Sequence, residues 1–115
     1  MTADDFKLQI INAGVASVEQ HEHRPSRYRG CLRGFRIAKT LTTPQEFITI
    51  IDRRHQAERR LSSAHADPER YWEYRCATAQ IEFVWERMKI AWNLPKPWSG
   101  RAFIQYATIV GVKHE

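Results

Sequence analysis

Five arginines fall within residues 24–36, at Arg24, Arg27, Arg29, Arg33 and Arg36, interleaved with Tyr28 and Phe35. A guanidinium makes forked hydrogen bonds to phosphate and stacks on bases, so this composition suits a nucleic-acid or nucleoprotein contact. The plainer alternative is a solvated connection whose arginines pair with Glu69, Glu73, Glu82 and Glu86. Arg53, Arg59 and Arg60 form a secondary basic face with the same ambiguity, because Asp52 and Glu58 are close enough in sequence to screen it. Neither group comes with a helix-turn-helix pattern or zinc-knuckle spacing. His21-Glu22-His23, and Asp52 with His55 at a helical i, i+3 spacing, come nearest to a metal site. Zinc needs about three or four ligands and neither set supplies them, so no metal is expected. Cys31 and Cys76 stand 45 positions apart, neither a disulfide framework nor a metal-ligand pair, and read as buried thiols. Glu82 and Glu86 lie one helical turn apart, as paired carboxylates might, but Arg87 and Lys89 beside them favour a salt-bridged face. With no Gly-x-Ser-x-Gly, Walker A or dinucleotide fingerprint, the chain is expected to be no enzyme and to use no cofactor.

The elements that must carry these residues read as helices, since apolar residues recur at three- and four-residue spacings without sustained alternation. A first helix follows Thr2, an N-cap with Asp5 three positions on, and puts Phe6, Ile10, Gly14 and Val18 on one stripe, ending near Gln20. Beyond the arginine-rich stretch, Leu32, Phe35, Ala38 and Lys39 fit a short second helix, which Gly34 weakens by up to about 1 kcal/mol. Thr43-Pro44-Gln45-Glu46 combines a cap, a first-turn proline and a glutamate able to close a capping box, so a third helix begins at Pro44. Its stripe is Phe47, Ile50, Ile51, Arg54, Ala57, Glu58 and Leu61. Asp67-Pro68 opens a fourth helix that runs to about Asn93, where Leu94-Pro95-Lys96-Pro97 stops it. Ser99 can cap a fifth, carrying Phe103, Tyr106, Ala107 and Val110.

The fourth helix has two apolar stripes, Trp72, Cys76, Ala79, Phe83 and Ile90 on one side and Ala77, Ile81, Val84, Met88 and Ala91 on another, which predicts a central position. Its Trp72, Tyr74, Trp85 and Trp92 point in several directions, so either some are exposed or at an interface, where Trp, Tyr and Arg dominate binding energy, or a wide core wraps the helix on all sides. The 115 residues are 43% apolar and carry 18 basic against 13 acidic side chains, the composition of one small soluble domain over residues 1–115. The charge is uneven: residues 21–40 hold six basic residues and one acidic, a surplus equal to the net +5 of the whole chain. No apolar run reaches the roughly 18 residues of a membrane span, and the first residues are acidic where a signal peptide would be basic. A cytoplasmic location is expected.

Residues Cys31-Leu32-Arg33-Gly34-Phe35, Tyr71-Trp72-Glu73 and Gln80-Ile81-Glu82-Phe83-Val84-Trp85-Glu86-Arg87 give the chain a texture that resembles the small helical accessory proteins of tailed phages and prophages. The resemblance implies a short non-enzymatic product that acts by binding inside a bacterial host, in a class that includes anti-CRISPR inhibitors of host defence complexes. It transfers no catalytic residue, and the positive charge departs from the acidic DNA mimics of that class. The expectation is therefore an all-α bundle of about five helices built on a long antiparallel hairpin of helices three and four. It would engage a host protein or nucleoprotein complex through Arg24, Arg27, Tyr28, Arg29, Arg33, Arg36, Trp72 and Trp85. The alternative is a direct nucleic-acid binder that uses residues 24–36.

Overall fold

The computed structural model describes residues 2–61 and 67–92, and these form four α-helices: α1 (Ala3–Val18), α2 (Pro25–Thr40), α3 (Pro44–Arg60) and α4 (Pro68–Ala91). A 3-10 turn, Glu19–His21, follows α1. The expected fifth helix on residues 99–110 lies outside the described residues. No strand occurs among those described, so the all-α class stands.

Each helix starts where local chemistry dictates. Thr2 and Asp5 close a reciprocal capping box, Asp5 N donating to Thr2 Oγ1 at 3.1 Å and Thr2 N to Asp5 Oδ2 at 3.2 Å. Asp67 caps α4 by accepting from Arg70 N at 3.1 Å. Thr43 caps α3 by accepting from Glu46 N at 3.2 Å, but the reciprocal bond is displaced by one residue: the Glu46 carboxylate takes the backbone N–H and hydroxyl of Thr42. These bonds, led by the Thr42 backbone, hold the Glu46 carboxyl below its ordinary range.

The second helix departs from expectation, because it begins at Pro25 and takes in the arginine-rich stretch as its first turns. Arg24 occupies the cap position without a side-chain hydrogen bond, so the only start signal is the proline. Residues 25–36 are thus helical and not a connection.

The antiparallel α3–α4 hairpin forms, with Phe47 against Trp85 at one end and Glu58 against Arg75 at the other. The more extensive seam, however, is between α2 and α4, which run parallel: Arg27 meets Trp72, Gly34 meets Ala77 and Phe35 meets Phe83. Gly30 and Gly34, one turn apart, make this approach. A Cβ at Gly30 would strike the Glu73 carbonyl and one at Gly34 the Ala77 carbonyl, both backbone atoms that cannot swing aside. The helix-propensity cost of Gly34 is therefore spent on bringing two backbones into contact.

Four helices converge on one cluster in which Phe35, Phe47, Ala38, Ile81, Val84 and Met88 are almost fully buried, with Ile10, Ile11 and Val18 from α1 around them. The two stripes of α4 do not share this equally. Ala77, Ile81, Val84 and Met88 are buried, whereas Phe83 is half-buried and Ile90 is 76% exposed. Two buried residues are charged: Lys89, which pairs with Glu86, and Lys7, 4% exposed, which donates through Nζ to the carbonyls of Lys39 at 3.1 Å and Leu41 at 2.5 Å. Lys7 supplies the end of α2 with a cation for its unpaired carbonyls. Burial lowers the Lys7 pKa from its ordinary value, against the pull of Asp4 and Glu46.

Candidate binding surface

Because α2 and α4 run parallel, Pro25 and Pro68 bring both N-terminal turns to the same end of the bundle. There a surface groove of about 450 Å³ is lined by Arg24, Pro25, Ser26, Arg27, Pro68, Glu69 and Trp72. Trp72 is 36% exposed, its ring 4.8 Å below the Arg27 guanidinium and set edge-on to Tyr71 at 5.3 Å between centroids. An arginine over an indole is a cation–π pair, and it keeps a flat, amphipathic surface open at the rim of the groove.

Adjoining it at Glu69, a cleft of about 470 Å³ lies between α2, α3 and the start of α4, lined by Arg29, Arg33, Arg54, Asp67, Glu69, Arg70, Glu73 and Tyr74. Arg29 pairs with Glu73 at 3.7 Å. Among the described residues Arg33, Arg54 and Arg70 make no ion pair. Arg54 is fixed instead by neutral groups: Nε donates to Thr78 Oγ1 at 2.9 Å, Nη2 donates to the Tyr74 carbonyl at 3.1 Å, and the guanidinium lies 3.9 Å over the Tyr74 ring. Burial is the main cause of a lowered Arg54 pKa; Arg33 adds to it, while Tyr74 and Glu58 oppose it. A cation held rigid by neutral partners keeps its field available to an anion in the cleft.

The expected residues divide by place. Arg24, Arg27 and Trp72 come together in the groove, and Arg29 and Arg33 reach the cleft beside it. Arg29, Arg33 and Arg36 share the outer face of α2 at i, i+4 and i+7 spacing, and all three are exposed. Tyr28 is half-buried and turned toward Cys31 and Cys76 around a smaller cavity. Trp85 requires correction: it is 6% exposed, stacked on Phe47 at 5.7 Å and beside Trp92 at 6.3 Å, so it belongs to the core and not to a contact face. The pairing once open to the segment's arginines also resolves, since Glu82 meets His55 at 3.2 Å and Glu86 meets Lys89 at 2.8 Å.

The secondary basic group is not one patch. Arg53, Arg59 and Arg60 are all exposed, but at roughly 100° per residue Arg53 and Arg60 share a line while Arg59 lies about a third of a turn away. Arg53 borders a separate groove with Leu41, Thr43 and Glu46, and Arg59 and Arg60 sit in the last turn of α3, where positive charge suits the helix end.

Sequence reasoning missed Arg54 and Arg70 as members of the cleft. Arg54 had a signal, a charged residue that with Glu58 interrupts the apolar stripe of α3. Sequence reasoning also paired His55 with Asp52, whereas in the structure His55 Nδ1 faces Glu58 at 3.3 Å and Nε2 faces Glu82. Glu58 further meets Arg75 at 3.7 Å, and its Oε1 is buried without a hydrogen bond. Among the described residues no group of three or more His, Cys, Asp or Glu side chains is placed to hold a metal ion, and no helix is long and apolar enough to cross a membrane. No family model, curated protein or solved structure matches the chain.

Proposed function

We propose that this chain is a non-enzymatic binding protein of the phage accessory type, which docks on a host nucleoprotein complex and inhibits or modulates it. The observation that carries the reading is the common end of α2 and α4, where exposed Trp72 and Arg24, Arg27, Arg29 and Arg33 flank a groove and a cleft that adjoin at Glu69. An exposed indole beneath one arginine and beside another is the composition from which binding hot spots are built. The arginine excess selects an acidic partner surface.

The test is capture of bacterial proteins on the immobilised chain, with and without nuclease treatment, followed by titration of the captured complex. Arg27→Ala with Arg29→Ala should weaken binding more than tenfold, about 1.4 kcal/mol. Stability should change by no more than about 1 kcal/mol, because Arg29–Glu73 is an exposed pair. Arg59→Ala with Arg60→Ala removes the same charge elsewhere and should change little. Equal losses from both pairs would reduce the interaction to nonspecific attraction and defeat the reading.

A second reading, direct binding of nucleic acid, is favoured by the Arg27–Trp72 stack beside a cleft with three arginines free of ion pairs, which joins a base platform to phosphate donors. Single- and double-stranded oligonucleotides in a salt series separate the two. Phosphate contacts give a logarithmic slope of about 0.9 per contact for duplex DNA. Absence of binding at low salt eliminates the second reading.

A further inference from the structure

The α2–α4 seam holds both cysteines, which the sequence separates by 45 positions. At Gly30 the two backbones are so close that a Cβ there would lie 3.0 Å from Cys76 Cβ. Cys31, the next residue, accepts a hydrogen bond from Gln80 Nε2 at 3.3 Å, one turn beyond Cys76 on α4. Its sulfur therefore faces the stretch of α4 that carries Cys76. Both side chains are half-buried free thiols and border one cavity of about 200 Å³ with Val18, Arg24, Arg27 and Tyr28. A thiol placed only for packing needs neither a cavity nor a second thiol beside it. Two thiols on adjoining helices with an opening to solvent have what disulfide formation requires: short reach and access for a reagent.

We propose that Cys31 and Cys76 are a modification site, closing a reversible disulfide across the α2–α4 seam by exchange with a low-molecular-weight disulfide. Cys31, as thiolate, attacks one sulfur of the reagent; the reagent's S–S bond breaks, and its other half leaves as a thiolate that takes a proton from solvent. Cys76 then loses its proton to solvent and attacks the Cys31 sulfur of the mixed disulfide, expelling the second half as a thiol. The protein is oxidised by two electrons and the reagent is reduced to two thiols. Burial raises the Cys76 pKa, and contact with Cys31 adds to this, while Arg27 and Arg75 oppose it. Cys76 is thereby the resolving partner, reacting once a mixed disulfide has been brought against it.

The cavity shares Arg24 and Arg27 with the groove at the helix ends, but closing the disulfide requires no occupant of that groove. The test uses the full chain under native conditions with oxidised glutathione as the probe, read by intact mass and by peptide mapping without reductant. The expected product has lost two hydrogens, carries no glutathione, links the Cys31 and Cys76 peptides and reverts with dithiothreitol. The Cys76→Ser chain should stop at a glutathione adduct on Cys31. The oxidised wild type should unfold at a higher denaturant midpoint than the reduced form. Stable glutathione adducts on both cysteines without a link would overturn the proposal. So would links between chains alone, or a lower midpoint on oxidation.

Discussion

Trp72 and Trp85 lie on the same helix and have opposite surroundings. Around Trp85, α4 is enclosed: Phe47 stacks on the indole, Trp92 closes one side, and Ile81, Val84 and Met88 are almost wholly buried. Around Trp72, among the described residues, the N-terminal turn of α2 lines the groove and contributes Arg24 and Arg27 where the other half receives apolar side chains. The two tryptophans are 13 residues apart, roughly 140° around the helix, so they cannot face the same neighbour. One half of α4 is enclosed in the bundle and the other half leaves Trp72 exposed. An aromatic residue's role here follows from how many helices surround it.

This contrast makes quantitative demands. Phe47→Ala removes the ring that Trp85 and Trp92 pack against and should cost about 3 to 5 kcal/mol in chemical denaturation. A loss below about 1 kcal/mol would mean that the enclosed half does not dominate stability. Phe83, on the less buried apolar stripe of α4, should cost less on truncation, because it is half-buried with Arg87 lying 3.5 Å over its face.

Gly34→Ala examines the seam that joins the two halves. The added methyl gains about 1 kcal/mol of helix propensity but meets the Ala77 backbone, and overpacking of this kind costs about 1 to 3 kcal/mol. Net destabilisation is expected, and a stabilised variant would show that α2 and α4 can separate freely. Thr43→Ala should cost about 1 kcal/mol with helical content retained, since one cap bond is lost and Glu46 keeps its bonds to Thr42. An unchanged midpoint and m-value would remove the capping argument. The smallest effect belongs to Trp72→Ala, which should leave stability within about 1 kcal/mol while weakening partner binding, because its ring is open to solvent and backed by an arginine. A loss comparable to that of Phe47→Ala would erase the distinction between the halves.

The starts of α1, α3 and α4 were legible because each is decided within four residues. Thr2 with Asp5, Thr43 with Pro44 and Glu46, and Asp67 with Pro68 satisfy amide groups that no distant residue could reach first. The start of α2 was harder to read, since Arg24 donates hydrogen bonds and cannot accept one, which left Pro25 as the sole marker. The arginines at Arg24, Arg27, Arg29, Arg33 and Arg36 could be named as a group, yet their division between a groove and an outer stripe required knowing that they are helical.

What the residues determined by themselves, then, was the all-helical class, three of the four helix starts and the location of the charge, all properties of neighbours a few positions apart. Only the tertiary structure decided that α2 runs parallel to α4 with Gly30 and Gly34 in the contact, that Lys7 ends α2 across 34 positions of chain, and that Arg54 turns from an apolar stripe into an arginine-lined cleft. It also decided which tryptophan is covered. Periodicity fixes the direction in which a side chain leaves its helix, but not the element it meets, because that depends on the crossing of helices far apart in sequence. A glycine, a buried lysine and a cysteine each look unfavourable or inert on a single helix. Their purpose becomes visible only when the second backbone lies against them.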